Sequence, residues 1–125
     1  MPRTSEPPLF TKFYAIAKWL IERVEGFPKV IRFSLGERLL ATALQVLEDI
    51  TRAQFRREKA ALLTDANERL DVLRVLVRLA METKGLSFKQ YEFVCGGLDE
   101  AGRMLGGWIA QQRRAAEPPA RAPGP

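Results

Sequence analysis

Regularly spaced basic side chains are the residues of this chain whose pattern best fits a chemical task. Two groups recur at helical intervals: Arg52, Arg56 and Lys59, with Arg57 beside them, and the pair Arg74 and Arg78. Residues three or four apart lie on one face of a helix, so each group would present a basic face that suits phosphate groups. The alternative is ion pairing within the same helix, which stabilises by only roughly 0.2–0.5 kcal/mol per pair. The sequence leaves both interpretations open.

The overall charge agrees with a polyanionic partner. The chain has 125 residues, with 20 Lys and Arg against 15 Asp and Glu, a net charge of +5. The charges of the two ends cancel, so the excess lies between Leu9 and Arg114. A basic folded body favours nucleic acid or an anionic membrane surface, and a charge that only maintains solubility is the alternative.

Residues for catalysis or metal binding are scarce. The chain has no histidine, which is the commonest general base and metal ligand. Its only cysteine, Cys95, is expected to be a small core residue rather than a reactive thiol. The acidic pairs Glu48–Asp49 and Asp99–Glu100 are adjacent residues, whose side chains point about 100° apart on a helix, so we expect solvated faces with Arg partners. We therefore expect no enzyme, no metal site and no cofactor.

Four amphipathic segments must position these residues, and no segment alternates with the period of two that is typical of strands. The predicted helices run from about Leu9 to Glu25, from the capping box Ser34–Glu37 to about Arg57, from about Ala60 to Lys84, and from a second box at Ser87–Gln90 to about Arg113. Gly26 with Pro28 and then Gly85 end the first and third helices. We expect an all-α, up-down-up-down four-helix bundle over residues 9–114, with a flexible lead over 1–8 and a disordered Pro/Ala-rich tail over 115–125.

The inward faces follow from the same spacing. The expected inward side chains are Phe10, Phe13, Tyr14, Ala17, Leu20, Ile21 and Val24 in the first helix, Leu35, Leu39, Ala43, Val46, Leu47, Ile50 and Ala53 in the second, and Tyr91, Val94, Leu98, Ala101, Leu105, Trp108 and Ile109 in the fourth.

The third helix has two apolar faces. Leu70, Leu73 and Val77 point one way, and the second face points nearly the opposite way. A surface helix of a monomer normally has one apolar stripe. We therefore expect the second face, formed by Val72, Val75 and Leu79, to be an oligomer interface.

Three glycines lie inside the fourth helix. Gly102, Gly106 and Gly107 each cost roughly 1 kcal/mol relative to alanine there. Close helix–helix approach is the simplest reason, and a kink or fraying is the alternative. Trp108 is expected to be a packing anchor, whereas Trp19 could belong to the core or to an interface.

The sequence has no apolar run near the roughly 18 residues that a membrane span needs, and its start lacks the apolar core of a signal peptide. We therefore expect a cytoplasmic protein that does not enter a membrane.

Several motifs occur in a specific order. They are F-P-K and R-F-S-L-G-E-R (Phe27–Lys29, Arg32–Arg38), A-N-E-R-L-D-V-L-R-x-L-x-R-L-A (Ala66–Ala80), S-x-K-x-Y-E (Ser87–Glu92) and L-D-E-x-G-R-M-L-G-G-W (Leu98–Trp108), where x is a position outside the pattern. Together they closely resemble the Avd proteins, the accessory variability determinants of diversity-generating retroelements. More distantly they resemble the four-helix bundle proteins encoded in 23S rRNA intervening sequences. The resemblance covers about residues 9–110.

This resemblance implies a four-helix bundle that assembles into a barrel-shaped homopentamer with a basic surface. It implies an accessory protein, not itself a polymerase, that binds the retroelement reverse transcriptase and nucleic acid (template repeat RNA and cDNA) and is required for mutagenic retrohoming. The residues expected to contact nucleic acid or polymerase are Arg52, Arg56, Arg57, Arg74 and Arg78. Arg38 and Arg69 lie inside the matching motifs and could form intersubunit ion pairs instead. The alternative is a structural or RNA-associated bundle protein of the intervening-sequence type without a reverse transcriptase partner.

Overall fold

The computed structural model describes residues 7–116, which form a bundle of four long α-helices and contain no strand. The helices are α1 (Pro8–Glu25), α2 (Glu37–Phe55), α3 (Ala60–Glu82) and α4 (Phe88–Ala116). Helix α1 packs against α2 and α4, and α3 packs against the same two helices. Because the connections are short, neighbouring helices run antiparallel. The predicted up-down-up-down four-helix bundle is confirmed.

The core draws side chains from all four helices at intervals of three and four. Phe13, Leu39, Leu73 and Leu98 are completely buried where the four helices meet. In α3 the expected inward face is confirmed, since Leu70, Leu73 and Val77 are all buried. In α1 the predicted inward set is too broad: Tyr14 and Ile21 are exposed, because Phe13, Ala17 and Leu20 already fill the space between α2 and α4.

The predicted ends of the bundle need small corrections. Pro8 is the first residue of α1, a position where its missing N–H costs no helical hydrogen bond. Ala115 and Ala116, which the sequence places in the tail, are the last residues of α4. The other residues of the predicted lead and tail, 1–6 and 117–125, lie outside the described residues.

The predicted capping box at Ser34 and Glu37 is wrong, because the helical backbone begins earlier. An α-helical turn at Lys29–Ile31 follows Pro28, and a π-helical segment at Arg32–Gly36 continues directly into α2. Since no helix starts at Ser34, there is no free backbone N–H for its side chain to cap. The hydroxyl instead donates back to the carbonyl oxygens of Val30 and Ile31, at 3.4 Å each.

The second predicted box is confirmed. The Ser87 hydroxyl accepts from the backbone N–H of Gln90 at 3.1 Å, and the Gln90 side-chain oxygen accepts from the backbone N–H of Ser87 at 2.9 Å. These reciprocal bonds satisfy two backbone donors at the start of α4.

The α3–α4 turn contains one residue in the left-handed conformation. Lys84, not Gly85, has the positive φ of 69°. Gly85 is needed for space, because a Cβ there would lie 3.0 Å from Ile31 Cδ1 and 3.2 Å from the Ala80 carbonyl oxygen.

Gly36 is the tightest point of the π-helical segment. A Cβ at this position would lie 2.8 Å from Val24 Cγ1, and valine is stiff and short. We expect Gly36→Ala to lower the free energy of unfolding by about 1–3 kcal/mol, as overpacking does. Urea unfolding followed by circular dichroism measures this.

Gly106→Ala is the matched control, because nothing lies within 4 Å of a Cβ there. Replacing a glycine inside a helix should raise the free energy of unfolding by up to about 1 kcal/mol. Equal effects of the two variants would contradict the steric role of Gly36.

Candidate nucleic-acid interface

One end of the bundle concentrates the positive charge. The last residues of α2 and α4 and the first residues of α1 and α3 lie at this end. Segments 52–59 and 110–116 contain a single acid, Glu58, and six cations: Arg52, Arg56, Arg57, Lys59, Arg113 and Arg114. We call these six cations the basic end. Two helix starts and two helix ends meet here, so the helix dipoles oppose one another and leave the excess positive charge in place.

Most cations of the basic end have no acidic partner. Of these six cations, only Arg52 forms a salt bridge within residues 7–116, and its partner is Glu48, one turn earlier on α2. The ammonium group of Lys59 lies 5.1 Å from the centroid of the Trp108 ring, which ties the α2–α3 connection to α4. Unpaired guanidinium groups in water are free to bind phosphate oxygens, which they can do with two parallel hydrogen bonds.

The basic end is built differently from the predicted ridge. Helix α2 ends at Phe55, and Arg56 is extended, with φ −107° and ψ 140°. The predicted helical alignment of Arg52, Arg56 and Lys59 is therefore wrong, because the chain must leave the helix here to turn into α3. The three residues still share one end of the bundle, but Arg56 belongs to the connection.

The binding set predicted from the sequence omits Lys59, Arg113 and Arg114. The predicted topology could have revealed these three cations, because the second and fourth helices of an up-down-up-down bundle finish on the same side of the bundle. Combining that topology with the predicted helix bounds would have placed these cations together.

Arg74 lies away from the basic end and connects α3 to α4. Its guanidinium is 3.1 Å from the Asp71 carboxylate, donates to the Leu98 carbonyl oxygen at 3.3 Å, and lies 3.6 Å from the Asp99 carboxylate. The side chain is 38% exposed. Arg74 therefore stabilises the packing of α3 on α4, and the contact with nucleic acid or polymerase expected of it stays a prediction.

The position of Arg74 explains Gly102. A Cβ at Gly102 would lie 2.6 Å from the Arg74 Nη2 atom, so the guanidinium in its present position depends on the glycine and would have to shift if a Cβ were added. The expected close approach of two helices is not seen here, because the atoms nearest to this Cβ position belong to the side chains of Arg74 and Leu70. For Gly106 and Gly107 the expectation is wrong, since a Cβ at either position would have nothing within 4 Å.

Arg78 is more accessible than Arg74. It pairs with Glu82 on the same helix at 3.3 Å, and its side chain is 68% exposed. Ala60 lies at the basic end. Arg74 lies about 21 Å further along α3, because an α-helix rises 1.5 Å per residue. The predicted binding residues therefore form two separate groups, one at the basic end and one along α3.

A buried ion pair connects α2 to α3. Asp49 is 2% exposed, and its carboxylate accepts from Arg69 at 2.6 Å and from the Gln45 amide at 3.2 Å. The expectation that Asp49 lies on a solvated face is wrong, because its position on α2 points toward α3. Arg69 thus forms its ion pair within the subunit, whereas Arg38 forms none within the described residues.

The outer face of α3 presents an apolar stripe. Val72, Val75 and Leu79 are 50%, 65% and 44% exposed, nearly opposite the core face of the helix. A second exposed apolar group, Tyr14, Ile21 and Leu44, lies on α1 and α2. The geometry leaves the α3 stripe accessible to another subunit, and the interface itself stays a prediction.

Trp19, Trp108 and Cys95 pack against the core without being fully buried. Trp19 is partly a core residue, and its ring also lies 5.4 Å from that of the exposed Phe93. Burial raises the pKa of the Cys95 thiol, which lowers the fraction of reactive thiolate, in keeping with its expected packing role.

No helix within residues 7–116 combines the length and the apolar character that crossing a membrane requires. In the same residues, no three acidic or cysteine side chains are grouped so that they could hold a metal ion.

A family model described as bAvd-like matches residues 9–112. No curated protein matches the sequence.

The buried pair makes a prediction for stability. Arg69→Ala would leave the buried Asp49 carboxylate with only the Gln45 amide; because the Arg69 side chain is 39% exposed and water screens the pair in part, we expect the free energy of unfolding to fall by about 1–3 kcal/mol. Arg38→Ala is the matched control, because Arg38 and Arg69 line one shallow surface cleft but Arg38 forms no ion pair within the described part of the chain. This variant should change the free energy of unfolding by less than about 0.5 kcal/mol. Urea unfolding compares the two, and similar losses would contradict the role of the pair.

Proposed function

The chain belongs to the bAvd-like family, and we propose that it is an accessory protein of a diversity-generating retroelement. In this proposal it binds the retroelement reverse transcriptase and nucleic acid, the template repeat RNA and its cDNA, and is required for mutagenic retrohoming. It acts in the cytoplasm as a binding subunit, and the polymerase supplies the chemistry.

The observation that carries this proposal is the basic end. Six cations with one acid among them lie on two short segments, and their net charge equals that of the whole chain. Binding of such a surface to phosphates is driven by the release of counterions, so it is strong at low salt and independent of base sequence. The scarcity of catalytic residue types, above all the lack of histidine, supports a binding role rather than an enzyme.

Assembly would multiply this charge. We propose that the exposed stripe of Val72, Val75 and Leu79 contacts another copy and that the copies form a homopentamer. A closed ring would repeat the basic end five times around one axis, and several linked weak sites bind a long polyanion more tightly than one site.

A bundle protein of the 23S rRNA intervening-sequence type would share the fold and the basic end but would have no polymerase partner. Co-purification with the reverse transcriptase of a neighbouring gene separates the two functions. Stable co-purification supports the accessory protein, and failure to co-purify by a protein that still binds RNA supports the alternative.

The basic end can be tested by charge removal. We expect the triple variant Arg56→Gln, Arg57→Gln, Arg113→Gln to bind single-stranded RNA more weakly and to lose roughly 0.7 from the slope of log affinity against log salt for each phosphate contact removed. Fluorescence anisotropy of a labelled RNA over a series of salt concentrations measures both quantities.

The control removes three exposed lysines from the opposite end, Lys29→Gln, Lys84→Gln and Lys89→Gln. It makes the same change in net charge, so it should weaken binding less and leave the slope nearly unchanged. If both triple variants have the same effect, binding follows net charge alone and the assignment to the basic end is wrong.

The proposed interface is tested by Val75→Glu combined with Leu79→Glu. Both side chains are exposed in the single chain, so the helical content should stay the same while assembly is lost. Light scattering coupled to size-exclusion chromatography should give the 14.1 kDa of one chain for the variant and about five times this mass for the wild type. A variant of unchanged size would exclude the α3 stripe from the interface.

A further inference from the structure

We propose that the basic end binds single-stranded nucleic acid, with one unstacked base held against Trp108 in a cleft between the start of α1 and the end of α4. This inference rests on the proposed function, because it specifies the form of nucleic acid that the same surface takes. It adds a base-binding position to a surface that would otherwise contact only phosphates.

The cleft has the walls that a nucleobase requires. It encloses about 450 Å³ and is lined by Pro7, Pro8, Leu9, Met104, Trp108 and Gln111. The walls are mostly apolar and include one aromatic ring, which suits the flat face of a base. The Gln111 amide is the polar group of the lining, and it can donate to or accept from the edge of any base.

Trp108 is held in place for this role. The indole is partly buried against the core, and the Lys59 ammonium lies 5.1 Å from its ring centroid. The ammonium lies over the ring, so a base would contact the part of the indole that lines the cleft, and its phosphate would be attracted to Lys59. The ring is therefore ordered before any ligand arrives.

The cations continue from the cleft along α4. Gln111 follows Trp108 by three residues and Arg114 follows Gln111 by three, so each successive pair is adjacent on α4, although Arg114 lies about 120° around the helix from Trp108. Each step advances about 4.5 Å along the helix axis. A strand whose base enters the cleft would therefore find a guanidinium beyond it for a neighbouring phosphate, with Arg56 and Arg57 available across the α2–α3 connection.

A single strand fits this arrangement better than a duplex. In a duplex, pairing and stacking hold each base inside the helix, and a base must be flipped out before it can enter a pocket. Bases of a single strand are free to enter. Phosphate contacts alone would bind both forms, so the cleft is the feature that distinguishes them.

Trp19 provides a matched control within the same chain. It is also partly buried, and the Arg23 guanidinium lies 5.5 Å from its ring centroid. Arg23, however, lies 3.8 Å from the Glu22 carboxylate, and Trp19 is at the other end of α1 from the cleft. Trp19 therefore has the same local chemistry without the unpaired cations.

The first experiment uses the full-length Trp19→Phe variant, in which Trp108 is the only tryptophan. A short unstructured RNA oligonucleotide, or the duplex that it forms with its complement, is added while tryptophan emission is recorded. We expect saturable quenching by the single strand and little quenching by the duplex. Equal quenching by both, or none by either although both bind, would overturn the proposal.

The second experiment compares Trp108→Leu with Trp19→Leu. We expect Trp108→Leu to weaken single-strand binding roughly 5- to 150-fold, the range that loss of one stacked base gives. Its duplex affinity should stay within about twofold, since phosphate contacts are retained. Trp19→Leu should leave both affinities nearly unchanged. If Trp108→Leu fails to fold, the quenching experiment, which keeps Trp108, decides.

The two proposals fail in different ways. If single strand and duplex bind with the same affinity and Trp108→Leu changes neither, the cleft is wrong and the proposed function stands. If the wild type binds neither form at low salt, the nucleic-acid part of the proposed function is wrong and the cleft proposal falls with it. Quenching by the purified reverse transcriptase alone, or by raising the protein concentration alone, would assign the cleft to a protein partner or a second copy and overturn the inference.

Discussion

The antiparallel packing of four apolar stripes around one core is the constraint on which the rest of this structure depends. Because each helix contacts two neighbours, the ends of α2 and α4 and the starts of α1 and α3 must share one end of the bundle. That geometry gathers cations that are far apart in sequence, such as Arg57 and Arg113. If the same four helices packed in a different arrangement, each helix would remain, but these cations would no longer lie at one end of the bundle.

The charged residues divide between two tasks according to their position along the bundle. Midway along the helices, Lys12, Arg69 and Arg74 each reach an acid on a neighbouring helix, Glu100, Asp49 and Asp99 respectively. The exposed pairs among these add little to stability, whereas the buried Asp49 carboxylate depends on its partner. At the basic end the cations outnumber the acids, so they stay available to a ligand. Net charge alone does not reveal this division, because an arginine that spans two helices and an arginine in a connection count equally.

The motifs shared with the bAvd-like family largely describe packing. Gly36 leaves room for Val24, Gly102 leaves room for Arg74, and Arg69 neutralises Asp49. Each of these residues therefore serves contacts inside the bundle rather than a ligand. The proposed binding residues of the basic end fall mostly outside the motifs, in a connection and at a helix end, where packing constrains the sequence least.

The sequence determined the helix number, most helix bounds, the capping of α4 and the inward faces of α2 and α3, since these follow from apolar spacing and local capping chemistry within one segment. It also determined the excess of positive charge. Tertiary structure alone decided that Arg74 lies across Gly102, that Asp49 is buried, that helical backbone begins before Ser34, and that Lys59 reaches Trp108. Each of these depends on the distance between residues of different helices or on the path of a connection. Spacing within one segment does not contain that distance, because it is set only when the four stripes pack together.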